Sequence, residues 1–199
     1  MINQNQVVEA LKKPEAYYEK PKNILVEQTH ISYIFLTEKF VYKVKKAVDF
    51  GFLDFTTLLK RKFFCEKELE LNQRLCADMY LEVVPITKSE TQIRINGKGD
   101  IIEYAVKMKR IPQDKMMRKL LAKGNFPKNI IDKIAKIIVD FHIKAKTDER
   151  IKQFGSISTI RTNWIENFNQ TKEYIEITLP QKNYDYIHKK VNGFIRNNK

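Results

Sequence analysis

The sequence predicts an α+β fold in which a sheet of about five or six antiparallel strands with one helix precedes a helical region. Short runs rich in β-branched and aromatic residues lie at 24–46 and 81–108 and are separated by turn signals. Such runs are typical of strands. Apolar residues follow a helical period at 56–76 and again after Pro112, which predicts a helix beside the sheet and further helices after it.

Composition places the chain among globular proteins. Its 199 residues are 43% hydrophobic and 31% charged, and no apolar run approaches the roughly 18 residues that cross a bilayer. The start lacks the features of a secretory signal, so the expected location is the cytoplasm and no membrane partner is expected. The net charge of +13 suits an acidic partner. Because the basic residues are spread over the whole chain, a dedicated nucleic-acid partner is not favoured.

The predicted elements follow in order from these patterns. A helix is predicted at 4–13, because Val7, Val8 and Leu11 share a face and Pro14 ends the run. Strands are predicted at 24–28, 32–37, 40–46, 81–86, 92–95 and 101–108. The last two are expected to form a hairpin, because residues 96–100 supply the positive-φ positions of a tight turn.

Five more helices are predicted in the rest of the chain, at 56–76, 115–121, 128–144, 164–174 and 184–196. Asp54 or Thr56 is the expected N-cap of the first of these. The two cysteines, Cys65 and Cys76, would lie about 16 Å apart along that helix, too far for a disulfide. With three scattered histidines, they predict no zinc site.

Glu68 is the most unusual residue of the helix at 56–76. Phe64, Glu68, Leu71 and Leu75 follow at offsets of four, three and four, so they are predicted to share one face. A carboxylate buried there requires a cation or strong donors opposite it. The alternative is that Glu68 lies at the edge of the apolar stripe and reaches solvent.

Lys43 is the cation that the sequence offers to Glu68. In the strand at 40–46 side chains alternate, so Lys43 and Lys45 share a face with Val41 and the aromatic residues take the other face. A strand lysine opposite a helix glutamate is the arrangement with which kinases hold a lysine against the α and β phosphates of ATP. The alternative is a strand lysine that simply faces solvent.

Several motifs occur in the order known from one protein superfamily. They are THISYIFLT at 29–37, VYKVKK at 41–46, DFGFLDF at 49–55, CEKELELN at 65–72, VVPI at 83–86, EYAVKM at 103–108 and PQD at 112–114. On these motifs the chain resembles the aminoglycoside phosphotransferase and choline kinase-like superfamily, in particular the branch often fused to a P-loop ATPase domain. The resemblance implies a protein-kinase-like N-lobe at 1–108, and a hinge with an incomplete helical C-lobe at 109–199.

The resemblance also implies roles for individual residues. Lys43 would pair with nucleotide phosphates and Glu68 would hold Lys43. Met108, Lys109 and Arg110 would lie in the hinge that binds the adenine edge. The turn at 28–32 lacks a glycine-rich loop, and phosphate cover by Thr29 and Ser32 is set against a plain hairpin with no ligand role.

The catalytic part of the superfamily pattern is missing from the sequence. Its catalytic loop reads His-Gly-Asp with a following Asn, and a later Asp binds Mg²⁺; neither motif is found here. The resemblance therefore implies an ATP-binding half of a small-molecule kinase that is inactive alone, with the Mg²⁺ ligands outside this chain. A fragment, a split-gene half that needs a second chain, and a degenerate module remain open. A non-enzymatic nucleotide-binding or regulatory module, and a basic nucleic-acid binder, are the alternative functions.

Overall fold

The computed structural model of the chain describes residues 4–124 and 129–197 and confirms the α+β class. One antiparallel sheet contains six strands. They are β1 (Leu25–Gln28), β2 (Ser32–Leu36), β3 (Phe40–Lys45), β4 (Tyr80–Lys88), β5 (Ile93–Ile95) and β6 (Asp100–Lys109). Every predicted strand is present, with ends that differ by at most two residues.

The order of the strands in the sheet is β1-β2-β3-β6-β4-β5. The predicted hairpin between β5 and β6 is wrong, because β4 lies between them and pairs with both. The loop does adopt positive φ, 52° at Asn96 and 114° at Gly99. It uses them to pass the end of β4, where a Cβ on Gly99 would lie 2.2 Å from the carbonyl oxygen of Lys88. Glycine is needed here for a close backbone crossing and not for a hairpin turn.

Seven α-helices lie within the described residues. They are α1 (Gln4–Leu11), α2 (Leu58–Cys76), α3 (Met117–Ala122), α4 (Ile130–Lys144), α5 (Glu149–Phe154), α6 (Ile157–Thr171) and α7 (Gln181–Asn197). The predicted cap of α2 is wrong by one residue, since the Thr57 hydroxyl accepts the N–H of Lys60 at 3.2 Å. Asp54 instead accepts the N–H of Thr56 in the preceding turn.

One face of the sheet carries the main apolar core. Tyr17 and Tyr42 are buried there and their rings lie 5.2 Å apart. Both phenols are satisfied, because Tyr17 donates to the carbonyl of Leu11 and Tyr42 donates to the carboxylate of Glu19. Burial raises the pKa of each phenol. The cluster also contains Val7, Ala16, Phe35, Val44, Val84, Ile86, Ile95 and Ala105.

The opposite face of the sheet holds α2, which packs against β4 and β6. A buried ion pair attaches the start of this helix: Arg61 Nε lies 2.9 Å from both carboxylate oxygens of Glu103 on β6. Arg61 Nη1 donates to the carbonyls of Phe55 and Thr56, and Gln4 Nε2 donates to Glu103 at 2.8 Å. The two charges are therefore paired and hydrogen-bonded, as buried charges must be.

Two compact units divide the chain, Met1–Ile138 and Val139–Lys199. The first contains the whole sheet with α1 to α3 and the beginning of α4. The predicted boundary after residue 108 stays a prediction, and β6 ends one residue beyond it. Lys128, the predicted start of the helix now seen as α4, lies outside the described residues.

In the second unit, α6 and α7 pack through aromatic residues. The Tyr184 hydroxyl donates to the carbonyl of Phe168 at 3.2 Å, and the Phe168 ring lies 4.8 Å from the ring of His188. Both predicted helices are present but begin earlier. Helix α5 was not predicted, because only two of its residues are apolar and they show no clear period; Asp148 caps it by accepting the N–H of Ile151. Within residues 4–124 and 129–197, no helix is both long enough and apolar enough to span a bilayer.

We expect Glu103→Ala to lower the free energy of unfolding by about 3–5 kcal/mol, because it leaves the Arg61 guanidinium buried without its carboxylate. Glu82→Ala is the matched control, since Glu82 pairs with Lys107 but is 51% exposed where Glu103 is 1% exposed. Its loss should stay below about 1 kcal/mol. Urea denaturation followed by circular dichroism measures both, and equal losses would contradict a structural role for the buried pair.

Candidate functional site

Glu68 of α2 binds two lysines of β3 with its two carboxylate oxygens. Lys43 Nζ lies 2.8 Å from Oε1 and Lys45 Nζ lies 2.7 Å from Oε2. Both lysines reach α2 because alternate residues of a strand project to the same face. The predicted pair of Lys43 and Glu68 is therefore present, and Lys45 adds a second cation.

The three charged groups differ in burial. The side chain of Lys43 is 26% exposed, that of Glu68 is 13% exposed and that of Lys45 is 5% exposed. Burial acts to raise the pKa of Glu68, but the hydrogen bonds from Lys43 and Lys45 outweigh it and the pKa lies below its usual value. Glu68 is therefore a carboxylate at neutral pH, and the alternative of a solvent-facing Glu68 is excluded.

The buried face of α2 is not the predicted apolar stripe. Leu71 and Leu75 are 52% and 51% exposed, whereas Arg61 and Cys65 are buried. Those two residues precede Glu68 at offsets of seven and three, so charged pairs and a thiol form the face toward the sheet. Burial raises the pKa of the Cys65 thiol to about 12, which keeps it protonated and unreactive at neutral pH.

A cleft of about 780 Å³ opens beside Lys43. Its apolar floor consists of Ile34 on β2, Val41 on β3 and Met108 on β6, which occupy three adjacent strands. Tyr80, at the start of β4, also lines it. Lys43 is the only lysine in its lining among the described residues, so one ammonium group faces an otherwise largely apolar space.

Two loops border this cleft. The turn between β1 and β2 contributes residues 29–31, and the loop between β3 and α2 contributes Phe50, Phe52 and Leu53. The second loop turns at Gly51, whose φ is 78° and whose N–H donates to the Asp49 carboxylate at 2.8 Å. The rings of Phe50 and Phe52 stack 6.3 Å apart and Phe52 is 87% exposed, so this loop offers exposed aromatic surface.

Thr29 and Ser32 lie differently from each other. Thr29 lines the cleft, and its hydroxyl accepts the N–H groups of Ile31 and Ser32. Those two amides are therefore engaged within the turn. Ser32 is fully buried and does not line the cleft, and within the described residues its hydroxyl has no hydrogen-bond partner. The phosphate role of both residues stays a prediction.

The predicted hinge residues lie at the end of β6. Met108 lines the cleft. The N–H of Lys109 donates to the carbonyl of Met79 at 2.9 Å, and that of Arg110 donates to the carbonyl of Lys39 at 2.9 Å. Both amides are thus used to hold this segment against its neighbours, and of the three residues Met108 alone lines this cleft. The hinge role of all three stays a prediction.

Three residues of this network had no predicted role: Lys45, Arg61 and Glu103. A signal was available for each of them. Lys45 follows Lys43 by two positions on the strand, and Arg61 precedes Glu68 by seven positions on the helix. Glu103 is a single carboxylate within the apolar run of β6. Periodicity places these residues on their faces but does not say which charge meets which.

A second cleft, of about 580 Å³, is lined by Arg94, Lys98 and Lys107 together with Tyr18. Lys107 pairs with Glu82, which is half exposed, at 2.9 Å, and Tyr18 is 92% exposed. Among the described residues no buried ion pair borders it. The cleft beside Lys43 is therefore the better candidate. Lys43, Lys45 and Glu68 are charged groups that are largely buried there, and apolar packing alone would not require them.

Three curated proteins are similar to this chain: uncharacterized proteins of Mycobacterium bovis and of two strains of Mycobacterium tuberculosis. Each is 26% identical over 151 residues, which cover 76% of this chain and 29% of the relative. The chain thus spans less than a third of the length of these relatives. No protein-family model matches the chain, and no solved structure does.

The lowered pKa of Glu68 predicts a pH dependence of stability. A carboxylate with a lower pKa when folded contributes stability above its unfolded pKa, about 4.5, and loses it as pH falls toward the folded value. The difference in the free energy of unfolding between wild type and Glu68→Gln should be constant near neutral pH and should shrink below about pH 4.5.

Chemical denaturation across a pH series measures this difference. Glu66→Gln is the control on the same helix, because its carboxylate is 54% exposed where that of Glu68 is 13% exposed, and its difference from wild type should stay small throughout. Parallel loss of stability by wild type and Glu68→Gln down to about pH 3 would show that the two lysines do not stabilise the charged form.

Proposed function

We propose that this chain is the ATP-binding half of a kinase-like small-molecule phosphotransferase. The observation that carries the proposal is the ion pair of Lys43 with Glu68 at the wall of an apolar cleft. A lysine held by a helix glutamate is how protein kinases present a cation to the phosphates of ATP. The order of motifs along the sequence, from the strand lysine to the end of β6, supports the same family assignment and a kinase-like N-lobe.

The cleft suits the two chemically different ends of a nucleotide. Ile34, Val41 and Met108 form an apolar surface that would accept the faces of a purine base, and Lys43 supplies the charge for phosphate oxygens. Small-molecule sites typically combine apolar walls with a few placed polar groups in this way. The exposed rings of Phe50 and Phe52 would cover the bound nucleotide from the neighbouring loop.

The other predicted residues would contribute less to nucleotide binding. Thr29 would stand near the phosphates, with its hydroxyl already accepting two turn amides. Lys109 and Arg110 would shape the hinge rather than donate their engaged amides to adenine. Adenine recognition would then depend on the Met108 side chain and on carbonyl groups of this segment.

These residues would bind a nucleotide but would not carry out phosphoryl transfer. The two motifs that would carry the catalytic base and a Mg²⁺ ligand in the superfamily pattern are not in this sequence. Mg²⁺ and the catalytic base would come from another segment or a second chain. A non-enzymatic nucleotide-binding module would use the same cleft and would differ only in lacking turnover when that partner is supplied.

We expect Lys43→Met to weaken Mg-ATP binding by about tenfold or more and to leave adenosine binding unchanged, because one charge-assisted contact to phosphate is lost. Val41→Phe should weaken both ligands, since the larger side chain fills the apolar floor. Lys107→Met is the control, because it removes the same charge from the other face of the sheet.

Isothermal titration calorimetry at fixed salt measures the two ligands for each variant. Absence of Mg-ATP binding by the wild type, or equal affinities of wild type and Lys43→Met for Mg-ATP, would contradict the proposal.

A further inference from the structure

The carboxylate of Glu68 is shared by two lysines that stand in different surroundings. Lys43 Nζ reaches Oε1 from a side chain that lines the cleft. Lys45 Nζ reaches Oε2 from a side chain that is 5% exposed and does not line the cleft. Each carboxylate oxygen pairs with its own ammonium group, so Glu68 keeps one cationic partner when the other lysine is lost.

Lys45 is the more firmly held of the two lysines. Its ammonium group lies 4.9 Å from the centre of the Phe55 ring, and its carbonyl accepts Gln4 Nε2 at 2.8 Å. The neighbouring carboxylate of Glu103 does not draw Lys45 away, because it accepts from Arg61 and from Gln4. Lys45 is therefore fixed on Glu68 by its surroundings.

The net charge of Lys43, Lys45 and Glu68 together determines how strongly Lys43 attracts an anion. With one lysine the pair would carry no net charge, and the charge of Glu68 would offset that of Lys43 at a bound phosphate. With Lys45 in place the group carries one net positive charge. Lys43 can then keep its hydrogen bond to Glu68 and still present a net positive charge to an anion, because Glu68 has a second cationic partner at 2.7 Å.

We propose that Lys45 is a positioning residue: it offsets the charge of Glu68, so that Lys43 presents a net positive charge to the phosphates of a nucleotide while Glu68 still holds it. The inference rests on the proposed function and adds a residue to it that contacts no ligand. Lys45 sets the affinity for phosphate through Glu68 and Lys43, and it has no part in recognition of the base.

The test compares Mg-ATP and adenosine binding by wild type, Lys45→Met, Lys45→Gln and Lys107→Met in calorimetric titrations. Lys45→Met should lose about tenfold or more in affinity for Mg-ATP, because the charge of Glu68 then offsets that of Lys43, and should keep its affinity for adenosine. Lys107→Met is closely matched: it removes a strand lysine that also pairs with a glutamate and lies 4.6 Å from an aromatic ring centre. It should bind both ligands as the wild type does.

Each result has a distinct meaning. If Lys45 had a purely structural role, Lys45→Met would lose affinity for Mg-ATP and for adenosine to the same extent, and this result would overturn the inference. Mg-ATP affinities that are equal in wild type and Lys45→Met, or lowered equally in Lys45→Met and Lys107→Met, would also overturn it while leaving the proposed function intact. A wild type that does not bind Mg-ATP overturns the proposed function and the inference with it. Should Lys45→Met not fold, Lys45→Gln decides, since it retains a donor for Glu68 and lacks the charge.

Discussion

The buried carboxylate of Glu68 is the constraint on which the rest of the site depends. A negative charge on the inner face of α2 is tolerated only where cations meet it, and β3 places Lys43 and Lys45 at 2.8 and 2.7 Å. The pair of Arg61 with Glu103 repeats the requirement two helical turns earlier and joins the same helix to β6. The two ion pairs fix the position of α2 along its axis and its rotation about that axis. Each ion pair requires particular partners, whereas apolar packing does not.

The alternation of β3 divides the protein into two functional faces. Tyr42 and Val44 point into the apolar core with α1 and Tyr17, which stabilises the sheet. Lys43 and Lys45 point to the other face, where α2 covers only part of the sheet and the cleft occupies another part. The candidate site is thus built on the strands of a well-packed sheet. Its lysine, Lys43, is oriented by Glu68, which is itself held by a hydrogen bond from Lys45.

The site and the order of the motifs support the proposed function, and the relatives do not. The similar mycobacterial proteins are uncharacterized and far longer than the matched segment, so they supply no activity. The cleft combines an apolar floor with a lysine that is held by a glutamate. It favours a ligand with a flat apolar part and an anionic part, which is why a nucleotide is the proposed ligand.

The sequence by itself determined the elements and the faces. Periods of two and of 3.6 residues placed six strands, the long helix, Lys43 and Glu68, because local periodicity records which side of an element is buried. It misjudged the stripe of Leu71 and Leu75, since charged residues on α2 are buried only through partners that lie far away in the chain. It also misassigned the hairpin at residues 96–100, because turn residues do not state which strands they join. Strand order, the sharing of Glu68 by two lysines, the pair of Arg61 with Glu103 and the cleft were decided by the tertiary structure alone, since each requires residues distant in sequence to meet at hydrogen-bonding distance.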